Sequence, residues 1–185
     1  MFSGWQSFYQ VTGSAAGELI GLLFIVATLS SGREHSSIMQ GIKLYVTPTV
    51  MHLALILVIS GIALVPETSV VVPAPLVGFV AIGGLVFTFL IAVRLGRLTS
   101  PAHWSDFWCY GVAPTVIYAG LAGAAAAGYA GARAQLPIAV LLLILLLVAI
   151  RNAWDLVTWL APRRSLGTMP PAIGAEPQQT PVQDD

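Results

Sequence analysis

Residues 136–162 read LPIAVLLLILLLVAIRNAWDLVTWLAP, and the division of this run decides the fold. Pro137 to Ile150 is apolar without interruption, about fourteen residues, whereas crossing a bilayer core of ~30 Å takes about 20. The span is therefore expected to continue through Trp154 to Trp159 and to stop before Pro162. That reading carries Arg151, Asn152 and Asp155 into the membrane and predicts one long helix over 137–160.

The rest of the chain has the same character. Its 185 residues are 57% hydrophobic and 9% charged, where a soluble domain carries roughly 25% charged residues. Eight basic residues balance eight acidic ones, so nucleic acid is not an expected partner. A lone Cys109 rules out an internal disulfide, and no C-x-x-C pair is present for thiol redox chemistry or metal capture. The N-terminus has no Lys or Arg before its first apolar run and no convincing cleavage site after it, so the first span is read as retained.

Four further spans precede the last, over about 8–31, 48–65, 75–96 and 105–131. The first has Trp5, Phe8 and Tyr9 as a candidate interfacial belt. It also carries Gly13, Gly17 and Gly21, a doubled G-x-x-x-G that lets another backbone come close. Glu18 adjoins this row, with Ser14 one turn before it. Thr47-Pro48 reads as an N-cap and first helical residue of the second span, which stops at Pro66. Pro73 or Pro75 opens the third, which ends near Arg94 and Arg97. Ser100-Pro101 repeats the cap-and-proline pattern, and Trp104, Phe107, Trp108 and Tyr110 follow as an aromatic cluster suited to a membrane boundary. The fourth span is thin, with Gly120, Gly123 and Gly128 in four-residue rows of glycine and alanine suited to helix packing. Pro114 lies inside it and predicts a kink.

The fold class expected is thus an all-α, polytopic integral membrane bundle of five transmembrane helices over residues 1–161. Residues 162–185 form a Pro-rich tail with too few apolar residues to bury, expected to be disordered. Arg33, Lys43, Arg94, Arg97, Arg163 and Arg164 fall on one side, with Arg133 alone on the other. By the positive-inside rule the N-terminus is outside and the C-terminus cytoplasmic, in the plasma (inner) membrane. The same bias argues against a dual-topology half of an inverted-repeat transporter.

At 1.5 Å rise per residue, Asp155 and His52 are expected about 6 to 9 Å from the cytoplasmic end, Arg151 about 13 Å and Glu18 about 20 Å. A charge at such depth costs ~2.5–3.5 kcal/mol on insertion scales, so it normally faces protein or water. A carboxylate escapes by taking up a proton; an arginine does not. Glu18, His52, Arg151, Asn152 and Asp155 are therefore the candidate pathway or buried polar residues, with Arg151 and Asp155 able to pair at i,i+4. Each has a plainer reading. Arg151 and Asp155 snorkel as an interfacial anchor beside Trp154 and Trp159. Glu18 and His52 serve as hydrogen-bonded helix glue, and the glycines as packing devices.

No zinc-protease motif, phosphate cradle or nucleophile elbow occurs, so catalysis is not expected. No second ligand stands at helical spacing to His52, and neither a metal nor a cofactor is expected; a haem held between His52 and His103 is the weakest option. Two functions remain, the first of them the preferred one. One is a small oligomeric channel conducting ions or protons along a narrow route between protomers, with the first helices near the contact. The other is a non-conducting accessory subunit or scaffold that docks a membrane-protein partner through its Gly-rich faces. The lipid bilayer and a homo-oligomer or membrane-protein partner are the expected associations.

Overall fold

The computed structural model describes residues 2, 4–30, 46–66, 73–96 and 107–160. The expectations for the loop at 31–45, for Ser100-Pro101, Trp104 and His103, and for the tail after residue 160 lie outside the described residues. Helices α1 (Gln6–Ser30), α2 (Thr47–Leu64), α3 (Pro73–Gly96), α4 (Ala113–Tyr129) and α5 (Gln135–Leu160) follow one another, with a π-helical turn at Phe107–Val112 leading into α4. No strand occurs among the described residues. With the π turn counted into α4, all five helices are long and apolar enough to cross a membrane.

The helices pack as two antiparallel hairpins, α1 on α2 and α3 on α4, with α5 lying against α4, α2 and α1. α5 buries Ile138, Leu142, Leu145, Ala149, Asn152 and Leu156, a spacing of four and three in alternation. That period keeps one seam of a helix continuously against its neighbours. The opposite side of α5 exposes Val140, Leu143, Leu147, Ile150 and Trp154. α2 repeats the pattern with His52, Ile56, Ile59 and Ala63 inside. Large apolar side chains such as Phe24, Phe79 and Val116 cover the outside as well as the core. Such an exterior is compatible with a membrane protein, because a hydrocarbon solvent removes the reason to hide it.

Helix boundaries follow from proline and glycine chemistry. α2 ends where Val65 turns extended ahead of Pro66, since a residue before proline leaves the helical region. Pro73 opens α3, where its missing N–H costs nothing. α4 closes with Gly131 at φ +91°, Ala132 donating to the carbonyl of Ala127 at 2.9 Å and Gly131 to that of Gly128 at 3.1 Å. This pair of bonds satisfies carbonyls that the helix end would otherwise leave open.

One local expectation is corrected. Thr47 is the first helical residue and makes no capping bond; the preceding Val46 already has helical dihedrals. Tyr9 is fully buried in the bundle, its ring edge-on to Phe2 at 5.0 Å and to Phe8 at 5.2 Å. Pro114 lies within the span Phe107–Tyr129, at the head of its α-helical part. The irregularity that proline imposes is taken up by the π turn just before it, and Thr115 Oγ1 donates to the Gly111 carbonyl at 2.7 Å.

Candidate functional site

The candidate polar residues separate into three places. The first is inside the bundle. His52 on α2 is fully buried, and its Nδ1 lies 3.1 Å from the Tyr118 hydroxyl on α4. Tyr118 has room because α3 places Gly84 against its ring; a Cβ there would sit 2.5 Å from Cε1. Nε2 of His52 has no hydrogen-bond partner among the described residues. Helices α2, α3 and α4 are thereby joined by one aromatic side chain.

The second place is the carboxyl-terminal half of α5. Asn152 is fully buried, and its Nδ2 donates to the Cys109 carbonyl in the π turn at 3.1 Å. Tyr110 donates its hydroxyl to the Asn152 carbonyl at 3.1 Å. A π turn leaves carbonyls out of the ordinary i,i+4 ladder, and the asparagine supplies a donor to one of them. Arg151 pairs with Asp155 at 3.1 Å and donates to Asn152 Oδ1 at 3.3 Å. The two charged side chains are 39% and 42% exposed, so the pair sits at the surface of the protomer with only Asn152 inside it.

The third place is on α1. Gln6, Gln10, Ser14 and Glu18 are exposed in a row of four-residue steps. None of the four has a hydrogen-bond or ion-pair partner among the described residues. The row borders a groove of about 460 Å³ between α1 and α2, lined in part by Gly13, Gly17, Leu57, Ser60 and Gly61. Gly13 is closed against α2, where a Cβ would lie 3.0 Å from the Ser60 Cβ. Gly17, Gly21 and Gly61 meet nothing within 4 Å, so the groove is cut by absent side chains. Ser60 Oγ and the Tyr9 hydroxyl, on residues that line it, are buried without hydrogen-bond partners among the described residues. The comparable groove between α3 and α4 is walled by alanine, glycine, proline and aromatic residues, with no charged or amide side chain.

Arg151, Asn152 and Asp155 are thus brought together, His52 is placed with Tyr118, and Glu18 stands alone on the outer face of α1. Of the glycines expected to pack, Gly13 and Gly120 do so within the protomer, Gly120 against Leu141. Gly17, Gly21 and Gly123 do not, and Gly128 contributes its carbonyl to the turn after α4. The remaining intrahelical polar groups are mostly turned back on their own backbone. Thr12, Thr28 and Thr88 each donate to the carbonyl four residues earlier, at 2.8, 2.8 and 2.9 Å. Among the described residues no three His, Cys, Asp or Glu side chains converge as a metal site would require.

Sequence reasoning missed Tyr118 and Gly84, and read Tyr110 only as a membrane-boundary aromatic. Tyr118 carries one legible signal, a large side chain with a polar tip just before the run of glycine and alanine in α4. Comparison with protein-family models, with curated proteins and with solved structures gives no match to this chain.

Proposed function

We propose that the protein is a multi-pass membrane subunit of non-conducting, assembling type, and that the α1–α2 face docks another transmembrane segment. The observation that carries this is the exposed polar row of α1 beside a groove left open by Gly17 and Gly61. In a bilayer an amide, a hydroxyl and a carboxyl facing acyl chains are each costly, and a neighbouring helix supplies what lipid does not. Glycines at the same face let that helix approach closely enough for dispersion and hydrogen bonds to act together. The orientation with the N-terminus outside, in the plasma membrane, belongs to this proposal and rests on the loop charge bias.

A second reading is a narrow ion or proton route between protomers, and Glu18 favours it as a carboxyl half-way along a spanning helix. Against it, Leu22, Phe24 and Ile25 are exposed beyond Glu18, and the next exposed hydroxyl, Thr28, is bonded back to the Phe24 carbonyl. Inside the protomer, the seam of α5 is filled by Ile138, Leu142 and Leu145.

The deciding experiment uses native membranes. A Gly17→Leu variant should fold, since a Cβ at this position meets nothing within 4 Å, yet lose the higher-mass complex seen by native electrophoresis after mild solubilisation. An unchanged complex removes the docking reading.

A further inference from the structure

We infer that the occupant of the α1–α2 groove is a second copy of this chain, joined by a two-fold axis that sets the two α1 helices parallel. This rests on the docking reading above and names its partner.

The inference starts from the face that α1 leaves uncovered. Gln10, Ser14 and Glu18, with Gly17 and Gly21 beside them, share one narrow side of the helix, next to Gly13, which α2 already covers. On it two four-residue rows lie next to each other. Gln10, Ser14 and Glu18 form a ridge, and the glycines form the furrow beside it. Rows of this type interdigitate when two helices cross at roughly −40 to −50°. A two-fold axis seats the ridge of each copy in the furrow of the other, and self-complementarity of this kind defines an isologous contact.

Polarity selects the same occupant. Copies inserted in one orientation present the same side chains at the same depth. The amide of Gln10 both donates and accepts, and the Ser14 hydroxyl does likewise. A second copy therefore brings donors and acceptors at matching levels. An acyl chain offers none, and an unrelated helix would need the same spacing. Ser60 adds an independent sign. Its Oγ is buried behind Gly13 and without a partner, on a residue that lines the groove into which the second ridge would descend.

The test uses the full chain with Cys109→Ser, so that a single introduced cysteine reports. Ser14→Cys is oxidised in liposomes holding this purified protein alone, with Phe79→Cys on the outer face of α3 as the reference position. Disulfide dimers at Ser14→Cys well above the reference are expected, and adding Gly17→Leu should lower their yield by about tenfold while thermal unfolding stays unchanged. Cross-linking no greater than at the reference overturns the second copy. If it is absent in liposomes while native membranes give a Ser14→Cys adduct of another mass, the partner named here is wrong and the docking reading stands. No adduct in either setting removes both. A Gly17→Leu chain that cross-links undiminished removes the glycine furrow and, with it, this geometry.

Discussion

Nδ1 of His52 and the hydroxyl of Tyr118 lie 3.1 Å apart in a buried contact that ties α2 to α4. If the phenol donates, Nε2 carries the ring proton and has no acceptor; if Nδ1–H donates, Nε2 is an acceptor with no donor. One ring nitrogen is unmatched in either tautomer, so the phenol is the histidine's sole described partner. Tyr118→Phe leaves both nitrogens unmatched, and a cost of about 1–3 kcal/mol in unfolding free energy is expected. Adding His52→Phe should cost less than the two single changes together, because the orphan is then gone. Additive losses in a denaturant titration would remove the tie from the account of stability.

Gly84 and Gly17 both look like helix-packing glycines, yet they should respond oppositely to alanine. At Gly84 the new methyl meets the Tyr118 ring at 2.5 Å, and the ring is held by its histidine contact. A loss of about 1–3 kcal/mol is expected from such overpacking. At Gly17 nothing lies within 4 Å. There the gain in helix propensity, up to about 1 kcal/mol, should leave the isolated protomer as stable or more so. Thermal unfolding of the two variants in detergent separates the cases.

Asn152 should act as a clasp on the π turn. Its side chain holds the Cys109 carbonyl, and its own carbonyl holds Tyr110. Asn152→Ala strands the first of these and is expected to cost about 1–3 kcal/mol. The Cys109 thiol is half-buried and reports on the same turn. Its reaction with a membrane-permeant maleimide should quicken in Asn152→Ala and stay as in the parent in Trp154→Ala, whose side chain points outward. Equal labelling rates in all three would mean that the turn holds itself.

How far the sequence alone reaches is visible in α5. Its length and its limits follow from hydropathy, but the seam that places Asn152 inside does not, because residues 137–150 are apolar on every side of the helix. Whether Arg151, one residue along, faces in or out does not follow, since a single step rotates a side chain by about 100°. Glu18 shows the same limit. Its neighbourhood of glycines is legible as a helix contact, but glycine rows do not say whether the contact is made within the protomer. Gly13 and Gly17, four residues apart in one row, divide on this point: a Cβ on the first meets Ser60 of α2, and a Cβ on the second meets nothing within 4 Å. The π turn at Phe107–Val112 is foreshadowed by Pro114 but not located by it, because proline disturbs the preceding turn in more than one permitted way.

The Arg151–Asp155 pair gives a prediction about where the helix end lies. Removing the arginine alone leaves a carboxylate and the Asn152 Oδ1 without a donor. Arg151→Ala should therefore impair stability more than Arg151→Ala combined with Asp155→Ala. In water an exposed i,i+4 pair is worth only ~0.3–0.5 kcal/mol. A difference between single and double variants well above that value indicates a site sheltered from water, and a difference within it indicates the headgroup level. Equal damage in both variants would show that the pair contributes nothing as a pair.

Glu18 decides between the assembling and the conducting readings. A conducting route needs polar or hydrated contact along its whole length, because a stretch of bare hydrocarbon restores most of the barrier to an ion. On α1 the polar row covers the half from Gln6 to Glu18, after which Leu22, Phe24 and Ile25 are exposed and the Thr28 hydroxyl is turned back to the Phe24 carbonyl. Liposomes holding the purified protein are accordingly expected to pass neither ions nor protons above empty vesicles. Glu18→Gln should not alter that baseline, and it should leave the Ser14→Cys cross-link in place, since an amide of the same length keeps the hydrogen bonding. Flux in the parent that disappears in Glu18→Gln, with the cross-link retained, would reverse the preference: the carboxyl would then be transferring charge, and the apolar half of the row would have to open for it.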